Sequence, residues 1–136
     1  MGSMKQPGWE LRLHDAIEDA RGRPFQWGSH DCATWAFDVA ARLTGTESQS
    51  RIWLGRYRTA AGAERLKRRL GWSTRREGGE ALLGAPLATP LLAQRGDIVL
   101  GPDEAFGICT GADAAFVGPA GLVFVKLAAC AAAWRI

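Results

Sequence analysis

The chain has 136 residues, 47% of them hydrophobic and 23% charged. That balance suits one compact domain with its own core and excludes a disordered chain or a pair of full domains. A net charge of +3 permits an acidic partner but does not imply nucleic acid, which is disfavoured as a ligand. No apolar run reaches the length of a membrane span and no secretory signal opens the chain, so no membrane contact is expected and synthesis is expected in the cytoplasm.

Met1-Gly2-Ser3 followed by Met4 looks like an expression scar, so residues 1–4 are expected outside the fold and 5–136 form a single domain. Trp9, Leu13, Ala16, Ile17 and Ala20 recur at helical spacing and predict a first helix from Trp9 to Arg21. Gly22 and Pro24 end it, and a loop runs to Asp31. Cys32, Trp35, Ala36, Val39, Ala40 and Leu43 then form the clearest helical stripe. Ser29 or Asp31 can cap its start, and Gly45 stands past its end. Thr59 can cap a third helix carrying Ala63, Leu66 and Leu70 inward, closed by Gly71. The stretch 73–90 holds at most one short helix, around Glu80 to Leu83.

The second half changes character. Four short β-prone runs, at 97–100, 106–109, 114–117 and 122–125, are punctuated by Gly and Pro. Their spacing leaves no room for crossover helices, so the strands are antiparallel. The closing Ala132-Ala133-Trp134-Arg135-Ile136 reads as a helical turn or an edge strand. The expected class is α+β, with N-terminal helices packed on a small antiparallel sheet or half-barrel.

The three cysteines are odd in number and form no CxxC pair, which argues against a disulfide framework and a zinc site. No phosphate-binding glycine loop or metal-ligand cluster is visible, so no cofactor or metal is expected. Cys109 and Cys130 read as buried small hydrophobes. Cys32 differs, because a helix N-terminus carries partial positive charge and free N–H donors. Those stabilise a thiolate and can hold an oxyanion, as a cysteine hydrolase requires. The competing reading is structural, since Cys32 opens the apolar stripe.

Several motifs then bear on Cys32. Pro24-Phe25-Gln26-Trp27-Gly28 followed by Asp31-Cys32 resembles the signature of the NlpC/p60 group of papain-like cysteine peptidases. Arg95-Gly96-Asp97-Ile98-Val99 is similar to that family's Pro-Gly-Asp-Leu-Val strand. Ala105-Phe106-Gly107-Ile108-Cys109-Thr110-Gly111 resembles its His-Val-Gly-Ile-Tyr-Leu-Gly strand, and Phe116-Val117-Gly118 falls where the family has Phe-Ile-His. Gly28-Ser29-His30-Asp31-Cys32, Gly55-Arg56-Tyr57-Arg58-Thr59 and Ala133-Trp134-Arg135 resemble more closely a group of small phage and prophage tail-region proteins in that clan.

The resemblance implies a papain-like fold with Cys32 as nucleophile. It also implies losses. The family's strand histidine aligns with Ala105, the residue that orients it with Gly118, and a tyrosine with Phe25. Acyl transfer needs a base and a proton for the leaving amine, and losing one triad member removes several orders of magnitude of rate.

His30 is the nearest substitute base, but residues two apart point to different sides of a helix. His14 reads as a partly exposed helix residue paired with Glu18. Asp103 and Glu104 precede Ala105 on what reads as a solvated turn. The basic run Arg65, Lys67, Arg68 and Arg69, with Arg75 and Arg76 soon after, reads as a solvated helix face or as a contact for an acidic partner or nucleic acid, though no aromatics are interleaved with it as a single-strand binder would want. Arg95-Gly96-Asp97 leads a strand, which opposes a cell-adhesion reading.

Two functions stand. One is a catalytically degenerate domain acting as a structural or adaptor part of a phage-like tail and incorporated in the particle. The other is an active amidase or endopeptidase cleaving peptidoglycan stem peptides, with Cys32 as nucleophile beside Asp31.

Overall fold

The computed structural model describes residues 4–136. Helix α1 spans Trp9–Arg21 and α2 spans Cys32–Thr44. The Asp31 side chain caps α2 by accepting the Thr34 N–H, and Gly45 ends the helix in the left-handed conformation at φ 67°. Helix α3, Ala60–Arg69, starts at a Thr59 cap. Helix α4, Arg75–Leu83, begins five residues before the short helix expected from sequence. Its start is a capping box in which Thr74 and Glu77 satisfy each other's backbone N–H groups.

The strands follow: β1 Ile98–Leu100, β2 Phe106–Cys109, β3 Asp113–Gly118, β4 Gly121–Lys126 and β5 Ala132–Trp134. They form one antiparallel sheet in the order β4-β3-β2-β1-β5. The C-terminal segment is therefore the edge strand of the two readings, paired along β1 with Ile98 opposite Trp134. The class is α+β, with four helices and five strands among the described residues.

Strand side chains alternate between two faces. Ile98, Leu100, Phe106, Ile108, Ala115, Val117, Ala132 and Trp134 join the core with α1 and α2. Val99, Cys109, Ala114, Phe116 and Ala133 form a second cluster, covered by Leu127 and Cys130. Both faces of the centre are thus buried, which accounts for the unbroken apolar runs of β1 and β2. Cys109 and Cys130 are the buried hydrophobes expected.

Met1–Ser3 lie outside the described residues. Met4, grouped with them as a scar, joins the fold through its backbone N–H, which donates to the Ile136 carbonyl at 3.2 Å.

Candidate functional site

The start of α2 is held from three directions by Asp31, which is 1% exposed. One carboxylate oxygen accepts the Thr34 N–H at 2.9 Å. The other accepts the Gly28 N–H at 2.8 Å and the Tyr57 hydroxyl at 2.5 Å. The loop before α2 presses against Tyr57 so closely that a Cβ on Gly28 would sit 2.1 Å from the Tyr57 carbonyl oxygen. Gly28 also has φ 84°, so the site requires glycine twice over. Trp53 adds a fourth fixed group, donating its indole N–H to the buried Thr34 hydroxyl at 3.1 Å.

Cys32 follows this anchor and faces a cleft of about 610 Å³, counted to its open mouth. Trp53 and Tyr57 line it, with Leu66 of α3, Leu70 just past that helix, Trp72 and Leu82. Phe106 of β2 closes the side next to the sheet. The lining is mostly apolar and aromatic, the usual character of a site that takes an apolar group.

Burial pushes the Cys32 thiol above its ordinary pKa. The Arg75 guanidinium opposes this, as do the Phe106 and Ala33 backbone N–H groups, while the Asp31 charge reinforces it. The net direction is upward, so the thiol stays protonated near neutral pH. A helix start alone does not make a thiolate when burial opposes the charge and an anion lies one residue away.

No general base faces the thiol from the cleft lining. The Tyr57 phenol is pushed far above its ordinary range, first by burial and then by its bond to Asp31, so it is a fixed donor. Asp31 is committed to its three donors. Lys67 is tied to Glu64 at 2.8 Å and to the Ser73 carbonyl at 3.0 Å. Arg75 is a permanent cation.

The sequence candidates distribute as follows. Cys32 and Asp31 both line the cleft. His30 does not join them. It is 2% exposed and lines a separate cavity between α1 and α2, with Ala16, Ala20, Trp35 and Val39. Its Nε2 has no hydrogen-bond partner there, and burial, helped by Arg23, lowers its pKa. It is a neutral core imidazole facing away from the sulfur.

The family-position residues lie elsewhere. Ala105 packs with the second cluster, on the far side of the sheet from the cleft. It is Phe106 that reaches the cleft, through its ring and its N–H. Gly118 sits at the β3–β4 hairpin opposite Gly121, and Phe25 packs edge-on against Trp27 at 4.9 Å. Neither lines the cleft.

Asp103 accepts the Ala105 N–H, and Glu104 accepts the Arg75 N–H at 3.2 Å, so both carboxylates serve the turn and the start of α4. His14 is exposed, and Glu18 bonds Arg21 instead.

Tyr57, Trp72 and Arg75 were not legible as site residues. Their sequence signals are an aromatic within Gly55–Thr59, a tryptophan that reads as core or interface, and an arginine that follows the basic run of α3.

Among the described residues no group of His, Cys, Asp and Glu is arranged to hold a metal ion. No helix among them is long and apolar enough to cross a membrane. No curated protein matches the chain. One protein-family description does match, over residues 4–136, and it is that of a domain of unknown function, DUF6950. Since the match takes in every described residue, both layers of the fold and the whole cleft, the chain belongs to the DUF6950 family.

Proposed function

We propose that this domain is a papain-like fold of the NlpC type that has given up hydrolysis and serves as a structural or adaptor part of a phage-like tail. The observation that carries the loss of hydrolysis is the cleft itself. Burial favours its neutral thiol, and the one carboxylate in its lining, Asp31, is already engaged by three donors. The papain-like reading is supported by the order of elements, with a cysteine at a helix start packed on an antiparallel sheet. The first residue of β2 donates its N–H toward that cysteine. The tail setting rests on the likeness of Gly28–Cys32, Gly55–Thr59 and Ala133–Arg135 to small phage and prophage proteins. What remains of the site is an apolar cleft with a rigid rim, suited to holding a partner's side chain.

Site-resolved alkylation of Cys32 against pH tests the loss of hydrolysis. The expected rate is low at neutral pH and rises only above the ordinary thiol range. A thiolate titrating well below that range, together with peptidoglycan cleavage abolished by Cys32→Ala, would overturn it. The tail setting is tested by probing purified phage-like particles for the chain, and its absence from them removes that part.

One observation favours the second reading, an amidase or endopeptidase acting on stem peptides. Arg75 and two backbone N–H groups are disposed to stabilise negative charge on the sulfur. The same alkylation profile decides between the two.

A further inference from the structure

Residues 51–76 carry nine of the chain's seventeen basic side chains and one of its fourteen acidic ones. Part of this charge is locally neutralised: Arg51 pairs with Glu47, and Lys67 and Arg68 both pair with Glu64. Four arginines are different. Arg56 and Arg58 from the loop before α3, and Arg65 and Arg69 from one face of α3, line a single groove. All four are exposed, and no carboxylate among the described residues pairs with any of them. Arg56 donates to the Ile52 carbonyl at 2.8 Å, which fixes its direction.

A cation in the last turn of a helix complements the helix dipole, and that accounts for Arg69 alone. It does not account for two arginines from a separate loop turned to the same groove. Four like charges converging on one concavity repel one another unless an anion lies between them. The groove adjoins the Cys32 cleft, because Tyr57 and Leu66 line both.

We infer that the arginine groove binds an acidic peptide segment of a partner protein, its carboxylates on Arg56, Arg58, Arg65 and Arg69 and an adjoining apolar side chain in the Cys32 cleft. Guanidinium forks suit bidentate carboxylate recognition better than ammonium groups do. Nucleic acid is the poorer fit. Single strands need several stacking faces along a basic track, and the groove's lining has one aromatic, Tyr57. The inference rests on the reading of the cleft as a binding surface.

The test uses fluorescence anisotropy with a labelled octapeptide rich in Glu and Asp that ends in Phe. Its Gln/Asn counterpart, a version ending in Gly and a single-stranded oligonucleotide serve as comparisons. The acidic peptide is expected to bind at least about tenfold more tightly than its neutral counterpart and to weaken with salt. Arg65→Glu with Arg69→Glu, and separately Arg56→Glu with Arg58→Glu, should each cost about tenfold or more. Unchanged thermal unfolding of both variants establishes that they fold. Replacing the terminal Phe with Gly should weaken binding further.

Equal binding of acidic and neutral peptides, indifference to both charge reversals, indifference to the terminal Phe, or tighter binding of the oligonucleotide would each overturn the inference. Cys32-dependent hydrolysis of peptidoglycan with arginine-dependent peptide binding intact would overturn the non-catalytic reading and leave the groove standing.

Discussion

Asp31 shows how one side chain can serve a helix, a loop and a cleft together. Its two oxygens cap α2, fix the Gly28 turn and hold the Tyr57 hydroxyl, which arrives from 26 residues further along the chain. The cap was legible, because Asp before an apolar helical stripe is a standard helix start. The tyrosine was not, since nothing in local spacing joins residue 57 to residue 31. Tyr57→Phe leaves a buried carboxylate oxygen with one donor fewer and should lower unfolding free energy by about 2 kcal/mol. Urea denaturation measures it, and a midpoint equal to wild type would mean that water replaces the hydroxyl. The position of His30 has a similar lesson. Two residues from the cysteine, it lies before the first turn of α2, where its backbone bridges to Gln26 and its side chain enters the cavity between α1 and α2.

At the scale of elements, α2 and α3 are readable because cap and apolar period agree in each, and α1 because its apolar period ends at Gly22. The strands were readable because Gly and Pro bracket the β-prone runs. Helix α4 is longer than its sequence pattern suggests, for a physical reason. Gly78 and Gly79 lower helix propensity at its middle, which hides it from pattern reasoning. They are there for proximity: a Cβ on Gly79 would lie 2.8 Å from the Trp134 ring and 3.3 Å from that of Phe106. Trp134 cannot yield easily, being 1% exposed and bonded through its indole N–H to the Gly84 carbonyl. Gly79→Ala gains about 1 kcal/mol in helix propensity and loses about 1–3 kcal/mol to overpacking. A lower melting temperature is expected; a higher one would show that α4 can lift away. Gly78 has the same role toward the cleft wall, since a Cβ there would lie 2.7 Å from the Trp72 ring.

At the scale of the whole molecule, both ends of the described chain converge on one buried carboxylate. Asp97 is 0% exposed. It accepts Lys5 Nζ at 2.9 Å, Arg135 Nε at 2.8 Å, the Gln94 N–H at 2.8 Å and the Ile136 N–H at 3.0 Å. The Arg95-Gly96-Asp97 tripeptide is therefore structural, with its carboxylate turned inward. Asp97→Asn removes the counter-charge of two cations, and breaking a buried pair in this way costs about 3–5 kcal/mol. Denaturant unfolding should show a loss of that order. A loss below about 1 kcal/mol would mean that solvent reaches the two cations readily.

The pairing of Met4 with Ile136 has a topological consequence. A chain whose first and last described residues touch is closed in space, though open in sequence. Such a fold can be spliced into a loop of another protein with little separation of that loop's ends. Tension on the two ends would load the Asp97 clasp, and the cleft beside Cys32 would be spared until the clasp gave way.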